Sequence, residues 1–374
     1  MQLILHIGTH KTGTSAVQEC LHRNERILAE RGIYYAHRAR ARSLNQLAQL
    51  IASGQSSEAR ALVDSHLAKA RAHGATTFLI SAESFFAMTM FFHKLEGEDC
   101  GDYWTAEARC IELLHDVLPH DLPKRVMVFF RRQDKFLESV YAQTVRTRPL
   151  SATCEQFAAS VGEALDYARH MRLWSRVFPD CVVHSYEETA NAAAWFFLGT
   201  VLKIGGLDRF AGLDLRINTS LARDLVEYKR ELNKATSFVD RRMGNFVCAE
   251  LERVVTDDGR YRDYLSPEAR ARLLRDVEPG NATLGWDFGM QPFPPLSDPA
   301  SRARTPYPGL LPERARELRE RHNTIKRSAG YQLERATLLL RQVTRRFRAM
   351  FASTDSARAW RGSRREAAQA SKPS

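Results

Sequence analysis

Leu5-His6-Ile7-Gly8-Thr9-His10-Lys11-Thr12-Gly13-Thr14-Ser15 is the stretch that decides how this 374-residue chain reads. An apolar run at 3–7 leads into it, and Val17, Cys20, Leu21, Ile27 and Leu28 follow at helical spacing. Strand, glycine-bearing turn and helix in that order make an anion cradle. Glycine permits the tight turn, and the N–H groups at the helix start converge on one point. Thr12, Thr14 and Ser15 add hydroxyl donors, and Lys11 adds a point charge. A phosphate or a sulfate-like group suits such a cradle. A Walker A loop reads GxxxxGK[ST]. Gly8 and Gly13 keep that separation, but Thr14 stands where the lysine belongs, and the lysine lies inside the loop at position 11. A kinase or NTPase reading is therefore disfavoured. A plain polar turn would leave so many converging donors without a purpose.

Further apolar runs lie at 77–80, 126–130 and 182–186. Short, nearly continuous apolar runs are the mark of strands buried on both faces of a parallel sheet. Helical patterns separate them; the one at 134–144 carries Phe136, Val140 and Tyr141 on one side. Alternation of this kind predicts an α/β fold, with a P-loop-like central parallel sheet flanked by helices and a C-terminal helical basic extension.

At roughly 150 residues per domain, the length allows two or three units. Hydrophobic residues make up 44%, enough for a sizeable core, so a disordered or collagen-like chain is excluded. The formal charge of +11 is unevenly spread. Residues 301–374 hold 18 Lys/Arg and 6 Asp/Glu, whereas the first 300 hold 37 and 38. A near-neutral body thus carries a basic tail. The expected organisation is a domain at 1–290, a Pro-rich linker at 291–312 with seven of the 14 prolines, a basic amphipathic helical segment at 313–350 and a disordered tail at 351–374. Six scattered cysteines without zinc-ligand spacing fit a reduced compartment. The N-terminus lacks the charged region of a signal peptide, and no apolar stretch approaches about 20 residues. A cytoplasmic protein is expected, with peripheral membrane contact through the tail as an option.

The HIGTHKTGTS loop resembles the 5′-phosphosulfate-binding loop of sulfotransferases that use 3′-phosphoadenylyl sulfate (PAPS), in the form seen in bacterial members and heparan-type enzymes. The resemblance spans roughly residues 1–290. It implies that Lys11, Thr12, Gly13, Thr14 and Ser15 hold the 5′-phosphosulfate. It also implies a second site for the 3′-phosphate, made in the family by an Arg at a strand end and a Ser eight residues on. Arg131 and Ser139 match, with Arg132 the alternative if the register slips by one. An Arg fork suits a phosphate, and a Ser on the second helical turn reaches the same anion. Ala16 replaces the Trp that stacks on adenine in cytosolic animal members. Tyr186, in a Tyr-Glu strand end like the family's, is placed near the adenine by analogy or else in a core or capping role. Gly32-Ile33-Tyr34-Tyr35, the Trp174-to-Phe178 stretch and Arg216-Ile217-Asn218-Thr219-Ser220 are further family-like segments.

Sulfuryl transfer needs a base for the acceptor and charge stabilisation on the leaving phosphate. Lys11 and the helix-start amides supply the second, so no metal is demanded. Three residues are candidates for the base. Glu83 follows the strand at 77–80, where the crevice of an α/β sheet forms, with Phe85, Phe86 and Met88 around it. His10 adjoins Lys11, and His93 lies in an expected substrate-side loop. Segments 85–102 and 221–274 are expected to shape the acceptor pocket. The alternatives are a P-loop small-molecule kinase and a non-catalytic scaffold that binds anionic polymer or membrane. The tail helix either packs its stripe of Leu333, Ala336, Leu340, Val343, Phe347 and Met350 on the body, with Gly330 as a break, or touches anionic lipid or an acidic substrate. Nucleic acid is not an expected partner, because basic residues without interleaved aromatics match no known module.

Overall fold

In the computed structural model five strands, β1 (Gln2–His6), β2 (Ile33–Tyr35), β3 (Thr77–Ser81), β4 (Lys124–Phe130) and β5 (Asp180–Ser185), form one sheet in the order β2-β3-β1-β4-β5. The structure describes residues 1–35, 44–189, 192–215, 221–235, 237–255, 261–295 and 305–344. Every pairing in this sheet is parallel, so the fold is α/β. Four strands fall where the apolar runs predict them. β2 is the addition, too short at three residues to stand out as a run.

The sheet is buried on both faces. β1 is enclosed from Leu3 onward, β3 throughout, and β4 from Val126 to Phe130. Ile4, Leu79, Met127 and Phe129 pack on one face with Val17 and Leu21 of the helix α1 (Thr14–Arg23) and with Phe197 and Leu198. On the other face Phe86 meets Phe130 edge-on at 5.3 Å, and Tyr167 stacks on Phe130 at 4.2 Å. Each such side chain contributes about 1.5–3 kcal/mol through burial, which is why the runs need no polar alternation.

The strand order creates the crevice. After β1 the chain travels outward to β2 and β3 on one side; after β4 it travels to β5 on the other. The connections leave the neighbouring strands β1 and β4 in opposite directions, so a gap opens at their carboxyl ends. The first loop and Arg131 lie there.

The chain divides into two compact units. One comprises Met1–Thr144, Ala152–Ser220 and Gly259–Tyr307; the other comprises Val145–Ser151, Leu221–Asp258 and Pro308–Ser374. The boundary expected at residue 290 is redrawn, because 221–258 groups with the chain beyond 308 and not with the sheet. Helices Arg223–Leu232, Phe238–Glu252 and Pro312–Lys326 belong to this second unit. Inside it Asn233 donates to the backbone carbonyls of Val145, Arg148 and Leu150, which ties the segments together across the sequence. Segment 221–274, expected to line a pocket, is split between the units. The tail helix breaks at 327–328 and resumes over 329–344; Gly330 lies within the second piece and is not the break. Residues 351–374, and with them the expected disorder, lie outside the described residues, as do Phe347, Met350 and 216–220. All six cysteines are free thiols. Among the described residues no helix is long and apolar enough to cross a membrane.

Candidate functional site

The loop between β1 and α1 is pinned on both sides. Ala82 N–H donates to the His6 carbonyl at 3.0 Å, Ile7 N–H to Met127 at 2.9 Å, and the Thr9 hydroxyl to the Phe129 carbonyl at 2.9 Å. Thr12 folds the turn by donating its hydroxyl to the Thr9 carbonyl at 2.6 Å. Gly13, with φ 76°, ends the loop as the residue preceding α1, and no side chain caps that helix. The N–H groups of Ala16 and Val17 turn back to the Gly13 carbonyl at 2.9 and 3.0 Å, and the positive end of the helix dipole lies at this turn.

Two glycines are required by close approach. A Cβ on Gly8 would lie 2.7 Å from Thr14 Cγ2, and one on Gly13 would lie 2.6 Å from Ala193 Cβ. Gly13→Ala is therefore expected to cost about 1–2 kcal/mol for the left-handed backbone and about 1–3 kcal/mol more for the overlap. Gly74→Ala is the control, since Gly74 has φ +66° and nothing within 4 Å. Urea unfolding midpoints should separate the two variants, and equal losses would remove the packing argument. Lys11 also has positive φ, 69°, unusual for a lysine. Such strain is held only where surrounding bonds over-determine the backbone.

One of those bonds comes from Arg131, just past β4. Its Nη1 donates to the Lys11 carbonyl at 3.3 Å and to the Ser139 hydroxyl at 3.0 Å. The guanidinium lies 5.7 Å from the centre of the Tyr186 ring. Tyr186 opens the short turn Tyr186–Thr189 after β5, and its ring edge lies 3.5 Å from where a Gly13 Cβ would be. Lys11, Gly13, Arg131, Ser139 and Tyr186, separated by up to 175 positions in sequence, thus form one contiguous group. Tyr167 supports it from behind, donating its hydroxyl to the Arg131 carbonyl at 2.9 Å.

Arg132 does not share this position. It forms a two-bond pair with Asp134, at 2.8 and 3.0 Å, and donates to the Pro294 carbonyl at 2.7 Å. Asp134 and Glu138 are bound in turn by Arg270, and Lys135 by Asp263. The charged residues around Arg131 are thus divided: Arg131 and Ser139 face the loop, and Arg132, Asp134, Lys135 and Glu138 form a buried ion network that fixes the helix Gln133–Thr147. Breaking one partner of such a network costs about 3–5 kcal/mol.

Two candidates for the base prove to be neighbours. Glu83 Oε1 lies 3.8 Å from His10 Nδ1, and Gln18 Nε2 donates to Glu83 Oε2 at 2.9 Å. Gln18, fully buried on α1, also donates to the Ser81 carbonyl. Phe91 holds the other side of His10, with ring centres 4.2 Å apart. Phe85, Phe86 and Met88, the expected apolar neighbours of Glu83, are fully buried, and polar Gln18 and His10 stand beside the carboxylate. His93 hydrogen-bonds Glu98 at 2.9 Å, on the exposed side of its turn.

Gln18 and His6 are what reading the sequence missed. A glutamine on the apolar face of α1, between Val17 and Cys20, was an available signal. His6 gave none, since a strand residue reads as core. It is buried beneath the loop, its Nδ1 2.9 Å from the Ser81 hydroxyl, and burial pushes its pKa down to about 4. The imidazole is therefore neutral at pH 7.

Glu107 anchors the segment that carries Phe91. It is fully buried and accepts from Met88 N–H at 3.1 Å and Thr89 N–H at 2.8 Å. Burial pushes its pKa from 4.5 up to about 7, against the pull of those bonds. Between these values the folded chain keeps a proton that the unfolded chain has lost, so stability falls as pH rises through the interval, by about 3 kcal/mol in all. His6 and His170, lowered to about 4 and about 3, act oppositely. The unfolded chain binds protons there that the folded chain refuses, and stability is lost as pH falls below about 6.5. Glu107→Gln should start from lower stability, because one N–H loses its acceptor, and should decline less between pH 5 and pH 8 in urea unfolding. A slope equal to that of the parent would contradict the assignment.

Among the described residues no three His, Cys, Asp or Glu side chains gather as a metal site. Compared with known proteins, the chain matches no family model, no curated protein and no solved structure.

Proposed function

We propose that this chain is a sulfotransferase, built on a P-loop-like sheet, that moves a sulfuryl group from PAPS to a hydroxyl or amine of a carbohydrate, lipid or small-molecule acceptor. One observation carries the reading: the Arg131–Ser139 pair docks against the Lys11 loop. A ligand with two anionic groups on one nucleoside needs two joined anion sites, and this junction supplies them at the crevice of the sheet. The loop from Lys11 to Ser15 takes the 5′-phosphosulfate, Arg131 and Ser139 take the 3′-phosphate, and Tyr186 offers a ring beside both.

In the reaction the acceptor oxygen or nitrogen attacks sulfur in line. The bond from sulfur to the bridging oxygen breaks, and its electron pair stays on the 5′-phosphate. Glu83 accepts the acceptor's proton, with Gln18 and His10 fixing its position. Lys11 and the amides at the start of α1 stabilise the charge on the leaving phosphate. Holding both reactants in this geometry supplies much of the acceleration.

Calorimetric titration with adenosine 3′,5′-bisphosphate tests the reading. Binding is expected, and Arg131→Ala should weaken it about 30- to 100-fold, the worth of hydrogen bonds to a charged group. The same variant should lose clearly less affinity for adenosine 5′-phosphosulfate, which lacks the 3′-phosphate, because there only the bond from Arg131 to the Lys11 carbonyl is removed. Absence of binding to the bisphosphate, together with magnesium-dependent ATP turnover, would overturn the proposal in favour of a kinase.

A further inference from the structure

The helix over 329–344 presents two faces of opposite kind. Tyr331 and Leu338, seven apart, are buried, and the Tyr331 ring meets Phe246 within the same unit at 6.0 Å. Leu333, Ala336, Leu340 and Val343 follow at intervals of three and four, so they line a second face. That face is open: Leu333 is 71% exposed, Leu340 68% and Val343 51%, and Leu339 at 43% widens it. Of the two readings of this stripe, packed on the body or open, its described part is the open one. A row of exposed large aliphatics on a helix already anchored by its other face marks an interaction surface.

Its charge setting selects the occupant. Lys326, Arg327, Arg335 and Arg341 are exposed at or beside the helix. The sequence beyond it, residues 345–374, adds eight Lys/Arg against two Asp/Glu, together with Phe347, Phe351 and Trp360. The helix itself carries Arg335 and Arg341 against Glu334, the pair Lys326 and Arg327 precedes it, and the basic surplus of the sequence follows it directly in chain order. Apolar side chains flanked by arginine suit a surface that is anionic outside and hydrocarbon just beneath. Leucines enter the boundary of the acyl chains, and arginines reach lipid phosphates from flexible stems. A second copy of this chain would bring equal positive charge to the same face and be repelled.

We infer that the 329–344 helix is a docking surface for an anionic phospholipid bilayer, lying along the interface on its Leu333-Leu340-Val343 face. The full-length protein should co-sediment with vesicles of phosphatidylcholine and phosphatidylglycerol but not with phosphatidylcholine alone. Binding should fall with added salt, by roughly fivefold for each Lys or Arg whose attraction to the lipid phosphates is screened out. Leu333→Ser with Leu340→Ser and Val343→Ser should weaken it about tenfold or more. These side chains are exposed, so the variant should fold, and its adenosine 3′,5′-bisphosphate titration, which reads the other unit, should match the parent's whether or not that titration is positive. Arg335→Glu with Arg341→Glu is the second, independent variant and should abolish the preference for phosphatidylglycerol. Equal binding to both vesicle types, or indifference to both variants, would overturn the inference. So would a dimer in analytical ultracentrifugation that the serine variant dissociates, or duplex DNA binding that the serine variant retains, in the absence of vesicle binding.

Discussion

Lys11→Ala is expected to lower turnover by about a thousandfold, the typical effect of removing one preorganised stabiliser of developing charge. The lysine sits between Gly8 and Gly13 in a loop pinned to β3 and β4, with its carbonyl held by Arg131. Its charge is fixed before the reaction, so no reorganisation is required as the bridging oxygen becomes negative. The measurement is release of adenosine 3′,5′-bisphosphate from PAPS across a panel of hydroxyl and amine acceptors. Lys11→Gly separates charge from conformation. Glycine accepts φ 69° without strain and should leave stability equal or higher, by up to about 1 kcal/mol, yet lose as much turnover as alanine. A glycine variant that retains activity would assign Lys11 to shaping the loop and remove it from the chemistry.

Glu83→Gln is expected to lower turnover about 100- to 10,000-fold with alkyl alcohol acceptors while leaving adenosine 3′,5′-bisphosphate binding unchanged. The amide keeps the size of the carboxyl group and can still accept from Gln18, so the loss reports the missing base and not a collapsed site. The acceptor decides the size of the effect. A phenol has already weakened its O–H bond and should suffer less, because general-base help matters most where the proton leaves last. His10→Gln should cost less than Glu83→Gln, since His10 acts through Glu83 at 3.8 Å. A larger loss in His10→Gln, with equal sensitivity for phenols and alcohols in Glu83→Gln, would transfer the proton to the histidine.

Much of this site could be read from residue order because its parts are local. The turn after β1 needs glycine, hydroxyls and a lysine within a few positions, and those constraints act between near neighbours. Arg131 and Ser139 lie eight apart on one strand–helix junction, so their reach follows from helix geometry. The buried strands announce themselves because a strand enclosed on both faces tolerates few polar residues. Three features remained out of reach. Glu83 and His10 stood as rival bases, 73 positions apart, and only the parallel pairing of β1 with β3 makes them a pair. Arg131 matches the eight-residue spacing, but a register slip of one would put Arg132 in its place, and only Asp134 and Pro294, which claim the second arginine, decide against that. The tail stripe satisfied both a packed and an exposed reading, since amphipathic periodicity says that a face is apolar without saying what it meets.

Residue order alone therefore sets the class of fold, the glycine-bearing turn after β1 and the eight-residue spacing of Arg131 and Ser139, all written in short-range patterns of size, polarity and glycine. Packing at long range sets the strand order that puts β1 beside β4, the Glu83–Gln18–His10 cluster at the carboxyl ends of the strands, and the grouping of 221–258 with the C-terminal chain. Those outcomes depend on which distant surfaces fit best against one another. That free energy is summed over many weak, non-directional contacts, and no single stretch of the chain records it.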